Sequence, residues 1–462
     1  MIRRFLPVSL GVALWPGRAA AHAAEQGFVL LLPWDVYITV GAGCVALTVL
    51  ILALVPDGLV RAAFRGRALW RTPRGVGRHG ASLLSAGVLV ALVLAGLRGG
   101  GDPLTNPLPL TVWTVWWIGM VSVQGLICDH WRWTNPWTGP AALMARATGE
   151  RAPLRYPRAL GHWPGIVILV AFCGFLLADP APADPRRLAV IVGGYWLAML
   201  GGLALFGPVW LLRVEAVSIL MRLYGRLAML GRRKGRLALG LPGWRIARGP
   251  RWPLGAGLFA LLLLGGGSFD GLNETFWWLG RIGVNPLEFP GRSAVIGSTL
   301  AGLVAADAAL IAVFAVSTWL GVRLAGGGVG TRAAIRAFAP AILPIALGYH
   351  IAHYLVSFLV DGQYVLAWLS DPLGRGWDLL NLGAHSVTTG FLNSQGSVRA
   401  IWLSQAGAVV IGHVIAILLA HALALDLYAD RRRAVLSQLP LAVFMVAYTT
   451  FGLWLLASPK GM

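Results

Sequence analysis

Charge is scarce in this sequence. Only 12% of its 462 residues are Asp, Glu, Lys or Arg, and lysine occurs just twice, at Lys234 and Lys460. A soluble chain of this size would need more polar surface to cover its core. Cysteine is scarce too: Cys44, Cys128 and Cys173 lie in or at the ends of apolar runs, without a Cys-x-x-Cys pair. That excludes a disulfide framework and leaves three small buried hydrophobes. No Gly-x-Ser-x-Gly elbow and no His-Glu-x-x-His helix is present, so two common hydrolase signatures are missing. The stretch GGGVGTR at 326–332 lacks the Gly-Lys-Ser/Thr of a phosphate loop and reads as a flexible turn. No period of 20–50 residues repeats, which excludes a solenoid.

Apolar sequence is abundant. Hydrophobic residues make up 57% of the chain, and the mean hydropathy is +0.71. Repeated apolar windows of about 18 residues or more predict transmembrane helices. The expected fold is all-α, a polytopic transmembrane helix bundle. Ten spans are expected, near 36–55, 81–97, 108–128, 163–178, 188–212, 253–268, 293–320, 338–360, 401–422 and 438–457. They follow an N-terminal segment, 1–23, with an Arg pair, a short apolar stretch and an Ala-rich exit, which reads as a cleaved signal peptide. Cutting after Ala21 would leave His22 as the new N-terminus, an amine–imidazole pair suited to copper. Residues 24–462 then form a single integral membrane domain.

The formal charge is +20, and its placement matters more than its size. Loops 56–80, 129–162, 213–252, 321–337 and 423–437 carry 27 Lys or Arg, against eight in the alternate segments. Such a split marks the cytoplasmic side and puts the mature N-terminus outside. The basic excess is therefore a topology signal and a contact with anionic lipid, and nucleic acid is not a partner. Within 213–252, VEAVSILMRLYGRLAML has apolar residues at helical spacing and reads as an interfacial amphipathic helix, followed by the basic stretch GRRKGR. In WRWTNPW, 131–137, three tryptophans suit an interfacial anchor and Asn135-Pro136 a helix stop.

Several ionisable groups stand where lipid-spanning helices should carry none. GYHIAHYL, 348–355, puts His350 and His353 on one helix face. The next span carries His413 and the preceding one Asp307, both at mid-depth. Asp270 and Glu274 stand one turn apart in SFDGLNE at the end of the sixth span. A charged group at a helix centre costs about 2.5–3.5 kcal/mol, so such residues usually face the bundle interior or a wet cavity. Imidazole with carboxylate is also a ligand set for Zn, Cu or Fe. The expected site is one transition metal ion held by His350, His353 and His413, with Asp307 and Asp270 as catalytic carboxylates. The plainer expectation for each histidine is an interhelical hydrogen bond.

The chain resembles a family of bacterial polytopic membrane proteins known as fenitrothion hydrolase-like. The resemblance rests on WRWTNPW (131–137), SFDG (268–271), GYHIAHYL (348–355), SDPLGRGWDLL (370–380) and GHVIAILLAHALAL (412–425), in that order. It implies a bacterial inner-membrane protein acting on an apolar organophosphate ester. Metal-bound hydroxide attacking phosphorus would fit that activity. The alternative is a transition-metal or proton-coupled transporter using the same residues. A third expectation is a non-catalytic subunit that works with a second membrane protein. The other expected partners are the lipid bilayer and either an apolar small molecule or a metal ion.

Overall fold

The computed structural model describes residues 33–71, 77–149, 152–383 and 387–461. The segment read as a signal peptide, His22 included, lies outside the described residues. Each of the ten expected spans is helical. They are α1 (Trp34–Leu54), α2 (Arg78–Arg98), α3 (107–126), α4 (Trp163–Ala178), α5 (Pro185–Phe206), α6 (Leu254–Asn273), α7 (Arg292–Leu324), α8 (Leu343–Ser370), α9 (Gln395–Leu427) and α10 (Arg431–Ala457). Eight helices among the described residues are long and apolar enough to cross a membrane. The remaining two are α4, with 16 residues, and α3, whose middle, Leu110–Met120, is wound as a π-helix.

The helix starts follow local chemistry. Asn106 accepts a hydrogen bond from the Leu108 amide ahead of Pro107, and Asp184 accepts one from Arg187 ahead of Pro185. Ser394 and Asp430 cap α9 and α10 in the same way. The eighth span ends later than its expected limit at 360. Residues 361–370 carry enough apolar side chains to continue the helix, which stops at Ser370, one residue short of the Asp371-Pro372 step.

Burial sorts the helices into layers. In α1 only 17% of the most apolar window is buried, against 78% in α6. Leu50 and Leu54 on α1, Leu84 on α2 and Val190 on α5 are large apolar residues left on the outside. A bundle with an apolar exterior and polar groups within is built for lipid. At the centre, α8 and α9 cross with their backbones in contact. A Cβ on Gly412 would lie 2.6 Å from the Pro344 carbonyl, and one on Gly348 would lie 2.5 Å from the Ala408 carbonyl.

The five arginine-rich loops meet at one end. Strand β1 (Arg67–Arg71) pairs antiparallel with β3 (Arg236–Leu239), which pairs with β2 (Leu230–Arg233) through a turn at Lys234 and Gly235. This small sheet joins loops 56–80 and 213–252, and it is an addition to the expected all-α fold. Arg431 reaches Asp57 at 2.5 Å, and Arg433 donates to the Ala325 and Gly327 carbonyls. Arg245 lies 4.0 Å from Asp129. At the opposite end, the Phe276 amide donates to Pro459 O, and Lys460 lies 3.4 Å from Glu274. The alternation of loops between two faces is therefore the one the arginines predict.

Two local readings need correction. The amphipathic helix Ala216–Leu227 does not lie on a lipid surface: nine of its twelve residues are buried. Its apolar stripe closes the arginine-rich end of the bundle against α3, α4 and α8. Glu215 caps it, accepting hydrogen bonds from the Val217 and Ser218 amides and from the Tyr195 hydroxyl. Trp131 and Trp137 are core residues rather than interfacial anchors, with their indole N–H groups bonded to Ser218 and to the Trp196 carbonyl. Trp133 is 40% exposed.

Candidate functional site

The sequence GGGSFDGLN builds one wall of the site. Its glycines strip side chains from α6 and let neighbouring rings come close, as the Tyr349 hydroxyl does at Gly271. Asp270 projects from this wall and is 7% exposed. From α8, Nε2 of His353 lies 3.2 Å from Asp270 Oδ2. The Tyr354 hydroxyl donates to the same oxygen. One buried carboxylate is thus held by an imidazole and a phenol from one helix.

Helical spacing aligns the other rings. Tyr349 and His353 stack with centroids 5.8 Å apart, and His350 and Tyr354 meet edge to face at 5.0 Å. Trp117 closes the third side, 5.1 Å from His350 and 6.1 Å from Tyr354. Trp117 belongs to the π-wound part of α3. Such segments are often found at functional sites.

Two cavities meet at His353. One, of about 30 Å³, lies among Trp117, Cys173, Asp270, His350 and Tyr354. The other, of about 50 Å³, is lined by Trp402, Gln405, Ser458 and Lys460 toward the end opposite the arginines. His353 lines both. Each has room for a few water molecules, with polar groups to hold them.

The remaining expected residues lie elsewhere. His413 is 1% exposed; its Nδ1 lies 2.9 Å from Val409 O, so Nδ1 carries the proton in the neutral ring, and Nε2 has no partner. Its ring stands 6.5 Å from that of Tyr448 on α10. Asp307 is 6% exposed and presses against Gly265 of α6, with Oδ1 unpartnered. Tyr448 donates to Ser268 at 2.7 Å. Thus Asp270, His350 and His353 share one cavity, while His413 and Asp307 border a second polar cluster on the same central helices. Among the described residues, no group of three or more His, Cys, Asp or Glu is arranged to hold a metal ion. His413 belongs to the second cluster, so the expected three-histidine set is not gathered in one group.

Sequence reasoning gave no role to Tyr354, Tyr448 or Ser268. Tyr354 had a signal, because it stands one turn after His350 in the quoted run. Tyr448 had none, since a single tyrosine in an apolar span is ordinary.

The fold and the site define a helical bundle of the multi-pass membrane type, with an ionisable cluster enclosed among its central helices. No family model matches the chain, and no curated protein or solved structure matches it either.

Proposed function

We propose that this chain is a proton-coupled carrier of the bacterial cytoplasmic membrane, with Asp270 and His353 as its proton-exchange site. One observation carries the reading: His353 is bonded to a buried carboxylate and forms part of the wall of two separate cavities. A proton arriving from the Lys460 side binds Nδ1 of His353 and makes an imidazolium. Nε2–H then passes its proton to Asp270, which leaves the imidazole neutral. Asp270 in turn faces the cavity of about 30 Å³ that it shares with Trp117 and His350. Tyr354 donates to Asp270 and stabilises the carboxylate once the proton has left. The arginine-rich end faces the cytoplasm by the positive-inside rule, which puts the Lys460 side outside.

The test uses the full chain in liposomes, with an imposed pH gradient and the membrane potential clamped. Wild type dissipates the gradient faster than empty vesicles, and His353→Gln and Asp270→Asn return it to the vesicle rate. Variants as fast as wild type would sink the reading.

Hydrolysis of an apolar phosphotriester is the second reading, carried by the motif resemblance. The same pair would then act as a general base, with Asp270 orienting His353 toward a water. The cavity of about 30 Å³ is far below the roughly 300 Å³ of a small-molecule site, so its size favours the proton. Turnover of a phosphotriester by the purified chain, lost in His353→Gln, would reverse that preference.

A further inference from the structure

A second polar cluster lies five residues back along α6. Asp307 of α7 presses against Gly265, about 7 Å nearer the arginine-rich end than Asp270 by helical rise. One turn from Gly265, Ser268 accepts a hydrogen bond from Tyr448 of α10 at 2.7 Å. Beyond Tyr448 stands the His413 ring of α9. Four helices therefore contribute one polar group each: Ser268, Asp307, His413 and Tyr448. Two of them end in buried atoms without a partner, Asp307 Oδ1 and His413 Nε2.

Groups this enclosed rarely stay unsatisfied without a reason. An ionised carboxylate away from water and without a cation is expensive. None of the described ion pairs includes Asp307. The titratable groups on which Asp307 bears are Cys173 from α4 and Tyr448 from α10, and Asp270 on the facing helix α6 bears on the same Cys173. The arginines of its own helix, Arg292 and Arg323, stand at the two ends. Binding one proton removes the cost of the bare carboxylate. A hard cation would need about six oxygen ligands, and this cluster offers only those of Asp307, Ser268 and Tyr448. A proton needs one acceptor and a neighbour to pass it to, and His413 Nε2 is such an acceptor.

We propose that Asp307, grouped with Ser268, Tyr448 and His413, is a second proton-binding station, which receives protons from the Asp270–His353 pair and passes them toward the arginine-rich end. The inference rests on the carrier reading and adds residues that the first site does not contain. The transfer moves one proton: Asp270 loses it as Asp307 gains it, and Asp307 then gives it up to Nε2 of His413.

Two measurements on the full chain in lipid test it. In infrared spectra recorded across a pH titration, wild type should show a carboxylic-acid C=O band that rises as pH falls, disappears in Asp307→Asn and shifts in Tyr448→Phe. In the liposome assay, Asp307→Asn should slow gradient dissipation roughly 100-fold, the low end of what one positioned proton-transfer group contributes, and Asp307→Glu should restore part of it. If Asp307→Asn proves unstable, Tyr448→Phe carries both readouts. A spectrum unchanged by Asp307→Asn overturns the station. So does a lost band with undiminished proton movement, because Asp307 would then titrate off the path. Proton movement that survives His353→Gln instead overturns the carrier reading, whatever Asp307 does.

Discussion

Nε2 of His353 and Oδ2 of Asp270 lie 3.2 Å apart, although the whole of α7 separates the two residues in sequence. Both side chains are about nine-tenths enclosed. Removing one member leaves the other buried without its partner, which typically costs about 3–5 kcal/mol. Asp270→Ala should therefore lower the melting temperature in detergent by several degrees. Asp270→Asn keeps a hydrogen-bonding side chain of the same shape and should lower it less. Equal melting temperatures for the two variants would mean that the pair does not hold α6 to α8.

The crossing of α8 and α9 has no space for a side chain at Gly412 or Gly348. Gly412→Leu should force the helices apart and destabilise by at least the 1–3 kcal/mol or so of an overpacked core. Gly43, on α1, faces open space, and Gly43→Leu is the control. Size-exclusion profiles and melting curves in detergent would separate the two. Similar behaviour would show that the two backbones do not touch.

The loop after α8 is tied by two carboxylates. Asp371 accepts from the Arg375 and Gly376 amides, and Asp378 from the Ser370 hydroxyl and the Leu382 and Gly383 amides. The Arg375 amide above all holds the Asp371 carboxyl below its ordinary value, and the Ser370 hydroxyl does so for Asp378. A depressed folded-state value adds stability that is complete above the ordinary carboxylate range and is lost as pH falls through the lowered values. The loop should resist acid-tolerant proteases at neutral pH and become cleavable only below that range. Cleavage that begins near neutrality would contradict these hydrogen bonds.

Sidedness can be read by labelling. Lys234 sits in the turn of the arginine-rich sheet and Arg375 in the loop after α8. In intact cells a membrane-impermeant maleimide should label Arg375→Cys and leave Lys234→Cys at the background of the unsubstituted chain. Lys234→Cys should label after permeabilisation. The opposite pattern would invert the orientation.

Most of the helical layout was legible because hydropathy depends on local sequence. The limits of α4 at 163 and 178 are those expected, and the arginine pattern placed all five loops on one face. The histidine pair was legible as a pair because both rings lie on one helix. Its partner was harder to read. Asp270 stood out as an acid in an apolar segment, but no pattern within α6 points to α8 rather than α7. Tyr448 and Ser268 were invisible, since their importance lies in each other's position. The amphipathic helix Ala216–Leu227 was misplaced for a related reason: its apolar stripe suits a lipid surface and a bundle's underside equally well. Only the facing helices decide between them.

The three-stranded sheet also sets an order of assembly. Strand β1 follows α1, while its partner β3 is completed only at Leu239, after helices α1 to α5 have been made. Until then β1 has no strand partner on either side, and it carries the exposed Trp70. Arrested chains that stop just before β2 should aggregate or bind chaperones more than chains extended past Leu239. The arginines in and around that strand would then have a second use during synthesis, as charges that keep an open edge from meeting another copy of itself.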